Sequence, residues 1–146
     1  LTLAVRTPHC VPHKTTLQDL AGQAFRRLCT SVKHMAEAAP NTEWHGIRIR
    51  AKRARYAAEL SELKMGQPAT QFIERLKIIQ DHLGDIQDAE VAETLLRRYT
   101  LKGLSGHSQF IAGQMVERQH QRQRDAKKAF VSEWKALKKC GQHLWT

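Results

Sequence analysis

Between Trp44 and Tyr56 the chain reads WHGIRIRAKRARY, which sets five Lys or Arg in thirteen residues, introduces them with a histidine and contains no acid. Such groups bind phosphate or carboxylate: arginine through paired N–H donors, lysine as a compact charge, histidine as a donor that gains charge with a proton. Winding residues 45–63 as a helix at about 100° per residue sorts the side chains into sectors. His45, Arg48, Lys52, Arg55, Tyr56 and Glu59 fall together, and Ile47, Ala51, Ala54 and Ala58 form a small apolar stripe beside them. Arg50 and Arg53 point elsewhere, into solvent. Steps of three, four and three residues stack four nitrogen-bearing side chains, His45 to Arg55, over about 15 Å. Like charges so spaced repel by about a few tenths of a kcal/mol per pair. A helix shaped for stability alone would interleave acids, yet Glu59, the one acid of the row, comes after the last cation. The row is better explained by an extended anion from outside the chain. His45 falls in the first turn, where free backbone N–H groups and the helix dipole also favour an anion.

The elements that must position this row read as helices. At 146 residues and 41% hydrophobic the chain suits one domain. Ala, Leu, Gln, Glu, Lys and Arg dominate and β-branched residues form no alternating runs, which predicts an all-α protein. Residues 1–16, with Pro8 and Pro12, read as a poorly structured lead-in, and 17–146 as the helical domain. A first helix is expected from Leu17 to Ala38, with Leu20, Ala24, Leu28 and Val32 inward. APNT at 39–42 stops it, and Thr42 caps a second helix that ends at MGQP, 65–68. A third, from about Ala69, carries Phe72, Leu76, Ile79 and Leu83 as a core stripe. Gly84 marks a bend or break, with helix again from Ile86 to Arg98. LKGLSGHS at 101–108 reads as a loop, and a last helix from Gln109 to Lys139 turns Ala112, Val116, Ala126, Phe130, Trp134 and Leu137 to one side. Five helices with short connections predict an antiparallel bundle.

The net charge of +10 and pI near 10.0 favour an anionic partner: nucleic acid, an acidic membrane surface or a phosphate-rich polymer. The charge is local, since residues 57–99 hold five cations against eight acids. Arg26 and Arg27 on the first helix, and Arg118 and Arg122 with Lys127 and Lys128 on the last, are candidates to widen the basic surface, and solvated surface explains each at least as well. The remaining histidines show no zinc-like spacing. Asp81, Asp85 and Asp88 could hold Mg²⁺ weakly, but capping near Gly84 or pairing with Lys77 is the plainer reading. No phosphate loop, nucleophile elbow or carboxylate pair within the row supports catalysis, so neither a catalytic residue nor a cofactor is assigned. Cys10, Cys29 and Cys140, without CxxC spacing, read as free thiols in a reducing, cytoplasmic setting. No apolar run reaches membrane-spanning length, and no membrane partner is expected. The chain opens on Leu1, which allows for a longer parent protein.

The segment HGIRIRAKRARYAAE resembles the HxxRxxxKxxRY helix of the CHAD family, the conserved-histidine α-helical domains. LKIIQDHLGDIQDAEV at 76–91 is similar to that family's following LK-x-x-Q-x-x-LG-x-x-x-D segment. The resemblance extends over about residues 17–146, with the C-terminal half of the family's pattern. It implies two pseudo-symmetric helical bundles whose basic surface binds inorganic polyphosphate, often beside CYTH triphosphatase domains and at polyphosphate granules. The pattern falls on His45, Arg48, Lys52, Arg55 and Tyr56, then on Lys77, Gln80, Gly84 and Asp88. The cations are its phosphate contacts; Tyr56, Gln80, Gly84 and Asp88 could equally be structural. This chain carries one histidine-led basic helix where a full member carries two, so either it is a fragment or two copies pair about a two-fold axis. The expectation is non-catalytic polyphosphate binding through His45, Arg48, Lys52, Arg55 and Lys77, flanked by Arg26, Arg27, Tyr56, Arg118 and Arg122. RNA or DNA binding is the first alternative, weakened by only nine aromatic residues. The accessory half of a CYTH-type triphosphatase is the second.

Overall fold

The structure, a computed structural model, describes residues 15–35, 39–100, 103 and 105–145. These form four helices, α1 (Leu17–Lys33), α2 (Asn41–Met65), α3 (Gln67–Thr100) and α4 (Gly106–Trp145). Residues 1–14 of the expected lead-in, and the end of the first expected helix at 36–38, lie outside the described residues.

The expected five helices are four because Gly84 does not interrupt α3. A glycine in a helix interior costs about 1 kcal/mol relative to alanine, but Leu83 and Ile86, both 2% exposed, anchor the chain on either side of it. Burial of one continuous face, Phe72, Ile73, Leu76, Ile79, Leu83, Ile86 and Ala89, outweighs that local cost. The break expected at MGQP falls at Gly66, whose φ of 64° ends α2 and lets α3 begin at the next residue, ahead of the expected start near Ala69. Thr42 is the second residue of α2 rather than its cap, since Pro40, at φ −63° and ψ 155°, holds the entry. In α1 the inward face is Ala21, Phe25 and Leu28, whereas Leu20 is exposed. The larger ring takes the core position and turns the helix accordingly. α4 begins at Gly106, inside the expected loop, and runs to Trp145.

Thr16 opens α1 with a reciprocal capping box: its hydroxyl accepts from the Asp19 backbone N–H, and the Asp19 carboxylate accepts from the Thr16 N–H at 2.8 Å. Thr16→Ala should cost about 1 kcal/mol, read as a lower denaturation midpoint.

Side-chain pairs between helices fix their directions. His45 meets Gln87 and Thr70 meets Glu62, so α2 and α3 run antiparallel; Asp85 meets Arg122 and Glu93 meets His120, so α3 and α4 do too. Ala51, Ala54 and Ala58 of α2 are fully buried, and side chains this small let α2 lie close to its neighbour. Two aromatic groups fill the rest of the core. Phe72 meets Phe25 and Trp145 edge to face, and Phe130 meets Trp44 edge to face and stacks on Trp134. Cys29 and Cys140 are free thiols, and Cys10 lies outside the described residues. Among the described residues no helix is long and apolar enough to cross a membrane.

Candidate functional site

α2 turns its alanine stripe inward and leaves the basic row at the margin of the α2–α3 interface. Arg48, Lys52 and Arg55 are half-buried, and His45 and Tyr56 are exposed, as are Arg50 and Arg53. The His45–Gln87 contact sets what the row faces. Stepping three, four and three residues forward along α2 and backward along α3 brings Arg48 level with Gly84, Lys52 with Gln80 and Arg55 with Lys77. The two segments singled out in the sequence are thus opposite walls of one shallow surface.

Along that surface cations outnumber acids. Glu59 sits 3.4 Å from Arg55 Nε, an ion pair without hydrogen-bond geometry, and Arg55 also lies over the Tyr56 ring at 5.0 Å. Lys77 donates to Glu74 at 2.7 Å, and that hydrogen bond, with the carboxylate's charge, holds the ammonium above its ordinary value. Among the described residues Arg48 and Lys52 have no acidic partner. The Arg48 Nε–H is buried and unpartnered, and so is the Gln80 amide nitrogen. Buried donors left unmet cost about 1–3 kcal/mol each. The surface is open at Gly84, where a Cβ would have no heavy atom within 4 Å.

His45 is oriented by a residue the sequence reading passed over. Gln87 turns its amide nitrogen toward Glu90, at 3.4 Å, and its oxygen accepts from His45 Nδ1–H at 2.9 Å. That leaves Nε2 without a protein partner among the described residues. The signal for Gln87 was in the spacing: Lys77, Gln80, Gly84 and Gln87 mirror the three-four-three steps of the basic row. Asp88, one position on, is exposed.

The flanking candidates separate. Arg26, Arg27 and Arg118 are exposed, and no hydrogen bond or ion pair links them to the row among the described residues. Arg122 is engaged with Asp85 at 2.6 Å. That pair, with Lys77 held by Glu74, replaces the expected pairing of Asp85 or its neighbours with Lys77. Among the described residues no group of three or more His, Cys, Asp or Glu is placed to hold a metal.

A second ionic cluster ties α3 to α4. Burial pushes the Glu93 carboxyl up, but hydrogen bonds from His120, at 2.9 Å, and Arg97, at 2.7 Å, outweigh it and hold the group below its ordinary value. A carboxyl depressed on folding contributes stability above its unfolded value, near pH 4.5, and loses it as the pH falls through the lower folded value. Glu93→Gln should therefore lower the melting temperature at pH 7 and flatten the loss of stability on acidification, as thermal melts at pH 7 and pH 3 would show.

The fold and the paired walls define an all-helical protein with one cation-rich hairpin surface. A CHAD domain family model matches residues 2–97, more than half of the chain and inclusive of both walls; α4 lies beyond the match. The chain belongs to the CHAD family, whose members are helical, generally non-catalytic and linked to polyphosphate binding. No curated protein and no solved structure matches it.

Proposed function

We propose that this protein binds inorganic polyphosphate without transforming it, along His45, Arg48, Lys52 and Arg55 with Lys77 at the flank. The observation that carries this reading is the pair of half-buried cations, Arg48 and Lys52, which among the described residues lack an acidic partner and which the hairpin register sets level with Gly84 and Gln80. A phosphate oxygen supplies what those groups are missing: a negative charge, and an acceptor for donors the fold leaves unmet. The open space at Gly84 gives such an oxygen room. Arg55 and Lys77, each already near a glutamate, contribute by releasing that partner or by sharing it.

Nucleic acid would bring the same phosphates together with bases that need flat surfaces to stack on. The one aromatic residue in the row, Tyr56, has Arg55 over its ring, which favours the simpler polymer. The reading also carries a setting, the cytoplasm at polyphosphate granules, and two partners, a second copy that completes the two-bundle site and a CYTH domain.

The test is titration with long-chain polyphosphate and with single-stranded RNA of equal phosphate content, at about physiological salt, while light scattering records the mass. Saturable polyphosphate binding, tighter than RNA and steeply weakened by salt, is the expected result. Equal affinity for both polymers, or none for either, would overturn it. A doubling of mass on binding would assign the complete site to two chains.

A further inference from the structure

A cavity of about 640 Å³ opens between the C-terminal half of α1, the start of α2 and the second half of α4, and no residue of the basic row lines it. Its walls combine two kinds of group. Val32, Met35, Trp44, Phe130 and Trp134 make an apolar floor, with the Phe130 and Trp134 rings stacked and Trp44 edge-on to Phe130. Lys33, Lys127, Lys128 and Lys138 also line it, and among the described residues none of those lining it is an acid. Lys127 Nζ lies 5.3 Å from the Trp44 ring, so one ammonium rests against the floor itself.

The size is that of a small-molecule site, and the charge selects an anion. The floor decides what the anion is attached to. A peptide would bring backbone N–H and C=O groups that need partners, and the one uncharged hydroxyl in the lining, Thr30, already donates to the Arg26 carbonyl. An unbranched alkyl chain brings no such groups. We propose that this cavity binds a long-chain fatty acid, the chain against Trp44, Phe130 and Trp134 and the carboxylate among the lysines, independently of the polyphosphate surface.

The full chain should be titrated with 9,10-dibromostearate below its aggregation concentration, following tryptophan fluorescence, because bromine quenches indoles it touches and Trp44 and Trp134 line the cavity. Saturable quenching at one equivalent, reversed by stearate and unaffected by excess polyphosphate, is expected. Stearyl alcohol should compete at least about tenfold less well, and Lys33→Glu with Lys128→Glu should weaken binding by about tenfold or more with circular dichroism unchanged, each loss corresponding to one charge-assisted contact. If that double variant unfolds, Val131→Phe, which narrows the cavity at a half-exposed wall position, takes its place and should weaken binding. Quenching that is absent, unsaturable, indifferent to the variant, or abolished by polyphosphate overturns the proposal.

Discussion

Replacing Arg48, Lys52 and Arg55 together by alanine should reduce polyphosphate affinity about a thousandfold while leaving the helical circular dichroism as it was. Three charge-assisted contacts at no less than about 1.4 kcal/mol each give that factor, a tenfold loss apiece. The dependence on salt should flatten as well, by about two in the slope of log affinity against log salt, because each lost contact releases fewer counterions. Stability works the other way. Alanine is the best helix former, none of the three side chains belongs to the buried core, and removing neighbouring like charges relieves repulsion. The melting temperature should stay level or rise slightly. Full-strength binding in the variant would move the anion to another surface, with Arg26, Arg27 and Arg118 the next cations to change.

Gly141→Ala should destabilise the protein by about 1–3 kcal/mol, against the gain of up to about 1 kcal/mol that a helical glycine ordinarily gives on that change. The steric effect wins because of what faces Gly141. A Cβ there would run into the Phe25 ring, within 2.7 Å of two of its carbons and closer still to Cζ. Phe25 is 3% exposed and packs against Phe72 at 5.3 Å, so the ring has little room to retreat. Gly113→Ala in the same helix is the control: nothing lies within 4 Å of its Cβ position, and the variant should be stabilised. Urea midpoints of the two variants, shifted in opposite directions, would establish the contact; a parallel shift would show that the Phe25 side of the core yields.

Apolar periodicity made some of this legible in advance. Phe72, Leu76, Ile79 and Leu83 are all buried in α3, and Ile47, Ala51, Ala54 and Ala58 are all buried in α2, because one face of a helix must be apolar wherever it is covered. The separation of the basic row from Arg50 and Arg53 followed from the same geometry. What did not follow depended on neighbours. Gly84 reads as a breaker in isolation, and only the burial on both sides of it holds the helix together. Gly141, close to the end of the expected helix, carries no sign in its own surroundings that a phenylalanine more than a hundred positions earlier rests on it. Leu20 and Phe25 are both apolar residues of α1, and which one turns inward is decided by the rings of Phe72 and Trp145. Gln87 and the Arg122–Asp85 pair require the register between helices, which no single segment contains.

The one-residue junction at Gly66 has a further consequence for how the site comes into being. Both walls belong to consecutive helices, and the most distant pair that frames them, His45 and Gln87, is 42 positions apart. Their closure entropy is small and their contacts are local, the conditions under which helical segments assemble quickly. The hairpin is therefore the part of the fold expected to pair first, and α4, which sets Phe130 against Trp44, completes the core beneath the anion surface.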